Sequence, residues 1–268
     1  MLSLKRRLKK QEHGYRVRIR NHLIAQYFSE MDRDYERLGA EGLGIVRWCF
    51  PASQITELDC DPFIERVTSR QIRMEKRRRL EAVWEKAGMS IGCDGVPGVD
   101  HEAKIMVEGL RQIRVMIKET EDKIKEMCKQ FPEYHYILTI PGFGPDVSAK
   151  VLGAIGDPGR FENGRQVLKM SGLDLSADRS GKDSSKAIPE ISKRGKGDLR
   201  YALYQAALIA SLKNRDVMLY YTNKIRGREK EKGIHTKMRV KLAAKLLVIA
   251  WTLMKKKEPF NPAYLNAE

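Results

Sequence analysis

Cysteine, proline and aromatic residues are scarce in this 268-residue sequence, and no long apolar run interrupts it. The four cysteines, Cys49, Cys60, Cys93 and Cys128, stand too far apart for a disulfide framework or a Cys-x-x-Cys zinc site, and they read as ordinary thiols. His13, His22, His101, His135 and His235 are equally scattered and suggest no metal cluster. No uninterrupted apolar stretch approaches the roughly 20 residues that cross a bilayer. Leu4-Lys5-Arg6-Arg7 opens a charged helix instead of the apolar core of a signal peptide, so the expected location is the cytoplasm. Negative charge is also in deficit. Against 51 Lys and Arg stand 35 Asp and Glu, a formal net charge of +16, and such a field draws polyanions over long range. Nucleic acid is the expected partner, with an anionic membrane surface as the competing one.

What is there is helical. The first 37 residues contain no proline, and Leu23, Ile24, Tyr27, Phe28, Met31 and Tyr35 form one apolar face below Arg16, Arg18 and Arg20, predicting a long amphipathic helix. Glycines, Pro51 and an Asp-Pro step break the pattern from Gly39 to Asp61, marking a connector with a short helix or turn near Ile55 and Leu58. A basic helix is expected over 62–88. Its run from Arg73 to Arg79 has two readings, a solvated face and a stripe that contacts a nucleic-acid backbone. After a glycine-rich break, Met106, Leu110, Ile113, Ile117, Thr120, Ile124 and Met127 recur at the alternating four- and three-residue spacing of a coiled-coil seam. That seam can be filled by helix 62–88 or by a second copy of the chain. Strand-type alternation is missing throughout, so the expected fold class is all-α. Three segments are anticipated: an N-terminal helix and connector (1–61), a helical hairpin or coiled coil (62–131), and a compact helical domain (132–268).

Two signals in the last segment carry chemistry. Ile137, Leu138 and Ile140 close one apolar helical run, Pro141-Gly142-Phe143-Gly144 forms a tight turn, and Val147, Val151, Leu152 and Ile155 resume helical spacing. Gly142 and Gly144 permit backbone N–H groups to approach a ligand, the helix beginning at Pro145 aims its positive end at the same place, and Lys150 can reach a neighbouring phosphate oxygen. This resembles the helix-hairpin-helix motif that grips a DNA backbone without reading bases. A plain helical corner with a glycine turn is the other reading. The second signal runs from Ser171 to Ser192, rich in serine and charge and poor in apolar anchors, which predicts an exposed, mobile loop. Beyond it, Lys193, Arg194 and Arg200 cluster where a helix with the buried face Leu199, Leu203, Ala206, Ala207 and Ala210 begins. A serine attacks a phosphodiester only if its proton is removed and the developing charge is stabilised, by arginines or by a metal.

From Ile140 to Ala210, the Pro-Gly-x-Gly turn, Asp157, Phe161, Gly172-Leu173, Ser180-Gly181, the run Ile191 to Gly195 and Leu199-Arg200 follow an order and spacing that resemble one family. It is the insertion-sequence transposase family that includes the Piv and MooV invertases, the IS-one-ten class. The preceding helices resemble its coiled-coil linker. The resemblance implies a two-part recombinase, whose RuvC-like domain binds Mg²⁺ through four acidic residues and whose C-terminal domain uses a serine as nucleophile on DNA. That serine matches Ser180, with Lys182 close behind it and Ser176, Ser184 and Ser185 as alternatives. Lys193, Arg194 and Arg200 match cationic positions near phosphates. Implied partners are DNA and a second subunit through the coiled coil, with a structured guide RNA as a further candidate. No RuvC-like sheet is encoded here, and helix N-capping accounts for Asp100 and Glu102. The expectation is therefore an N-terminally truncated transposase with no metal site or cofactor of its own, poorly active alone. The alternative is a non-catalytic helical protein that binds nucleic acid and dimerises through its coiled coil.

Overall fold

The computed structural model describes residues 1–68, 72–176 and 190–266. Its fold is all-α. Among the described residues the departure from helix and loop is a two-residue antiparallel ladder, β1 (Leu175–Ser176) with β2 (Glu190–Ile191), which the absence of strand alternation did not announce. The chain divides into two compact units, Met1–Thr120 and Glu121–Glu268.

In the first unit, helix α1 (Leu2–Arg18) continues through a π-helical stretch, Ile19–Ile24, into α2 (Ala25–Tyr27) and stops at Phe28. The helix expected over the first 37 residues is thus shorter, and a separate turn, α3 (Met31–Asp34), follows. Its apolar face is buried as the spacing implied: Ile24, Phe28 and Met31 are fully enclosed, and the Tyr27 ring meets Phe50 edge-on at 5.9 Å. Arg20 leaves this face and donates two bonds to the Asp32 carboxylate, at 2.6 and 2.7 Å. That guanidinium holds the Asp32 carboxyl below its ordinary range. A carboxylate so depressed stabilises the fold fully above its unfolded value, near pH 4, and loses that contribution as pH falls through the folded value. Asp32→Asn should therefore be less stable than the parent at neutral pH, with the gap closing toward about pH 3. Urea midpoints across that range measure it, and a gap independent of pH would contradict it.

The connector is more ordered than its glycines implied, with α4 (Ala40–Trp48) and α5 (Ala52–Thr56) within it. Instead of one helix over 62–88 there are two, α6 (Cys60–Thr68) and α7 (Met74–Gly88). Leu80, Val83 and Ala87 bury one face of α7, which packs on α5 and α6, and Trp84 donates to the Leu58 carbonyl at 2.8 Å. Three cations of the basic run are engaged by carboxylates: Arg77 with Asp61 and Glu81, Lys76 and Arg79 with Glu41. This favours a face tied to its own fold over a free binding stripe. The long helix α8 (Val99–Lys129) brings the seam. Ile113 and Ile117 pack with Leu8 and Tyr15 of α1, Gly109 faces the Tyr15 ring, and Arg114 bonds Glu12 at 3.1 Å. Within this unit Ile113 and Ile117 of the seam are met by α1, while Met106 and Leu110 join the larger core that also holds Leu80, Val83 and Ala87 of α7. Thr120, its polar member, satisfies its hydroxyl on the Met116 carbonyl at 2.7 Å.

The second unit is built around α14 (Ile234–Lys256). Leu246, Leu247, Ala250 and Leu253 are fully enclosed because α9 (Pro132–Leu138), α11 (Gly164–Ser171), α12 (Gly197–Lys213) and α13 (Arg215–Ile225) pack around it. Each such leucine contributes about 1.5–3 kcal/mol through its burial. Trp251 anchors the helix further by donating to the Pro158 carbonyl at 2.9 Å. After α14, Lys257 adopts a left-handed cap and Lys256 bonds the Tyr264 hydroxyl at 3.1 Å, so the terminal lysines close the helix.

Candidate nucleic-acid interface

The turn Pro141 to Gly144 joins α9 to α10 (Pro145–Ile155). Its two glycines do different work. Gly142 has φ +82°, and a Cβ there would lie 2.2 Å from the Ala206 carbonyl oxygen and 3.1 Å from the Ala210 Cβ. The close backbone approach foreseen for a ligand is made, at Gly142, to the alanine face of α12. Gly144 is extended, at φ −96° and ψ 179°, and a side chain there would meet nothing within 4 Å. It is the N-cap of α10, with no side-chain cap, so no capping side chain occupies the amides at the helix's positive end. Lys150 pairs with Asp146, one turn back, at 2.8 Å. Any phosphate approaching this end meets a cation already shared with a carboxylate.

The second signal has a built base. Helix α11 ends in a left-handed cap at Gly172, φ +70°. Opposite it, the Lys193 amide donates to the Gly172 carbonyl at 3.1 Å and the Ser192 amide to the Asp174 carbonyl at 2.9 Å. The Ser192 hydroxyl bonds the Asp174 carboxylate as well. Gly195, φ +151°, lies so close that a Cβ would come within 2.5 Å of the Met170 carbonyl oxygen. Arg200 reaches under this junction from α12 and donates to the Ser171 carbonyl at 3.0 Å. Together with the β1–β2 pairing these bonds clamp both ends of the serine-rich segment into one stem. Ser180 and Lys182, with Ser184 and Ser185, fall in 177–189, outside the described residues.

The structure therefore brings Lys193, Arg194 and Arg200 to one place, the exit of the stem. Lys193 and Arg194 are exposed, whereas Arg200 is half-buried and occupied with the loop base. Gly144 sits on the α9–α10 turn, which meets α12 through Gly142, and Lys150 lies within α10. Sequence reasoning did not single out Gly195, Asp174 or Ser192 as stem-forming. A glycine directly after a helical run was the available signal for the cap at Gly172. Among the described residues no group of three or more His, Cys, Asp or Glu side chains is placed to hold a metal ion, and no helix is long and apolar enough to cross a membrane.

Residues 134–222, which contain the α9–α10 turn, the stem and α12, match the model of the Transposase IS116/IS110/IS902 family. Over these residues the chain is similar to that family. It is 24% identical over 172 residues to the insertion element IS116 uncharacterized 44.8 kDa protein of Streptomyces clavuligerus, which covers 63% of this chain and 41% of that protein. To the pilin gene-inverting protein of Moraxella lacunata it is 26% identical over 160 residues, 58% of this chain and 48% of the relative. To the insertion element IS900 uncharacterized 42 kDa protein of Mycobacterium paratuberculosis it is 25% identical over 202 residues, 73% and 49% respectively. The chain thus spans less than half the length of these relatives.

Proposed function

We propose that this chain is a transposase of that family, that it binds DNA through the N-terminal end of α10 and the exit of the stem, and that Ser180 attacks a phosphodiester during strand transfer. The observation that carries the reading is the stem itself: two positive-φ glycines, a serine–aspartate bond and an arginine clamp join both ends of the serine-bearing segment beside exposed Lys193 and Arg194. A loop with its ends held this way can present a hydroxyl repeatedly at one position, which is what a nucleophile needs. In this reading the two cations at the stem exit supply positive charge for the phosphate that is attacked. The gene inversion named for the Moraxella relative is a DNA rearrangement, and supports the same class of partner.

Binding of a labelled duplex to the full chain should weaken as salt rises. Lys193→Ala with Arg194→Ala should reduce the slope of log K against log salt by about 0.9 for each phosphate that is no longer neutralised. Trapping on a nicked substrate should give a covalent protein–DNA adduct that survives denaturation and disappears in Ser180→Ala. Salt-sensitive binding with no adduct from any serine would instead identify a non-catalytic binding protein, and an unchanged slope would remove the stem exit from the interface.

A further inference from the structure

A second feature of the C-terminal unit lies away from the turn and the stem. Between α13 and α14 a cavity of about 230 Å³ is lined by Tyr220, Tyr221, Lys224, Arg228, Met238 and Lys241, with buried Leu242 beside them. It is smaller than the roughly 300–1,000 Å³ typical of sites for drug-sized ligands, so it suits a single ring or a small anion. Its chemistry is mixed in a specific way. Met238 and Leu242 are almost fully enclosed and make an apolar floor. The Tyr221 hydroxyl sits 3.0 Å from His235 Nδ1, which fixes that ring, and Lys224 Nζ lies 5.6 Å from the centre of the Tyr220 ring. Arg228 is held at the rim by two bonds to Glu231, at 2.9 and 2.6 Å. No carboxylate among the described residues pairs with Lys224 or Lys241, so two cations flank two aromatic rings without an internal counter-charge.

Rings and cations so interleaved match neither partner of a simple ion pair. A duplex exposes phosphates and groove edges but hides the faces of its bases, so a tyrosine-lined hollow gains little from it. An unpaired strand exposes both, and aromatic stacking with flanking cations is how sequence-tolerant single-strand sites are built. We propose that this pocket takes one unpaired nucleotide of single-stranded DNA, its base against Tyr220 and Tyr221 and its adjoining phosphates against Lys224 and Lys241. The proposal rests on the reading of the chain as a DNA-binding protein, and adds a site for the strand that is opened while the duplex is held elsewhere.

The test is fluorescence anisotropy of the full chain with a labelled oligo-dT strand and, separately, a blunt duplex. Tyr220→Leu, and Lys224→Ala combined with Lys241→Ala, should each weaken single-strand binding about fivefold or more, the scale of removing one stacked ring. Duplex affinity should change less than twofold. Tyr220→Phe should bind as the parent does. Photocrosslinking of the unmutated chain to an iododeoxyuridine strand, read by peptide mass spectrometry, gives an answer even if a variant folds poorly, and the adduct should map to Tyr220 or Tyr221. Equal losses on strand and duplex, unchanged single-strand binding, loss on an oligoribonucleotide alone, or crosslinks confined to other segments would each overturn the proposal. The effect of Lys193→Ala with Arg194→Ala on duplex binding is scored in the same assay, so the stem exit and the pocket fail separately.

Discussion

Gly142→Ala is expected to unpack the C-terminal unit before it alters any grip on DNA. The added methyl would meet the Ala206 carbonyl at 2.2 Å, and that oxygen belongs to the backbone of α12, so it cannot step aside as a flexible side chain would. The residue would also have to hold φ near +82°. Overpacking costs about 1–3 kcal/mol and a non-glycine residue in a sparsely populated backbone region about 1–3 more, together roughly 2–6 kcal/mol. For a unit of this size that is a fall in melting temperature of roughly 5–20 °C. Faster hydrogen exchange at the amides from Ala206 to Ala210 would place the damage where the turn docks. Gly144→Ala is the matched control, since its backbone is extended and its side is open, and the expected cost is about 1 kcal/mol or less. If Gly142→Ala instead melted like the parent and bound DNA more weakly, the packing role assigned to this glycine would be wrong.

That contrast shows what the sequence made legible. The turn and both its flanking helices were predictable because proline, glycine and the return of helical spacing are local signals. So was the buried face of α12, where Leu199, Leu203, Ala206, Ala207 and Ala210 are all enclosed. What local signals cannot contain is the partner of each face. Two small-residue surfaces, one glycine and one alanine stripe, meet across some sixty residues of chain, and nothing in either spacing names the other. The same limit applied to the seam of α8, whose period was clear but whose neighbour in the first unit, α1, lies far upstream. Charge was misleading in the opposite direction. The run from Arg73 to Arg79 is conspicuous in sequence, yet Glu41, Asp61 and Glu81 reach it from elements that only folding brings near. The α13–α14 pocket was invisible for the same reason, since Tyr220 and Lys241 look unremarkable until two helices pack.

Ser180→Ala should reduce the covalent adduct to background, a drop of roughly a thousandfold or more, while duplex affinity stays within about twofold. In the proposed step the Ser180 oxygen forms a bond to phosphorus as the bond from phosphorus to a deoxyribose oxygen breaks. The serine proton passes to a base, and the departing oxygen leaves as an alkoxide that must be protonated. Nothing in that sequence gains unless the hydroxyl is held in line with the leaving group, and here Gly195 becomes informative. Gly195→Ala leaves Ser180, Lys193 and Arg194 untouched but forces a methyl to 2.5 Å from the Met170 carbonyl at φ +151°. The strain, about 1–3 kcal/mol, falls on the bonds that close the stem. Exchange protection at the Ser192 and Lys193 amides, which bond Asp174 and Gly172, should drop about tenfold or more. Adduct yield should drop with it while salt-dependent duplex binding persists, because cations grip a backbone without needing the loop ends aligned. An adduct that survives opening of the stem would separate the nucleophile from this clamp, and an adduct that survives Ser180→Ala would move the chemistry to Ser184 or Ser185.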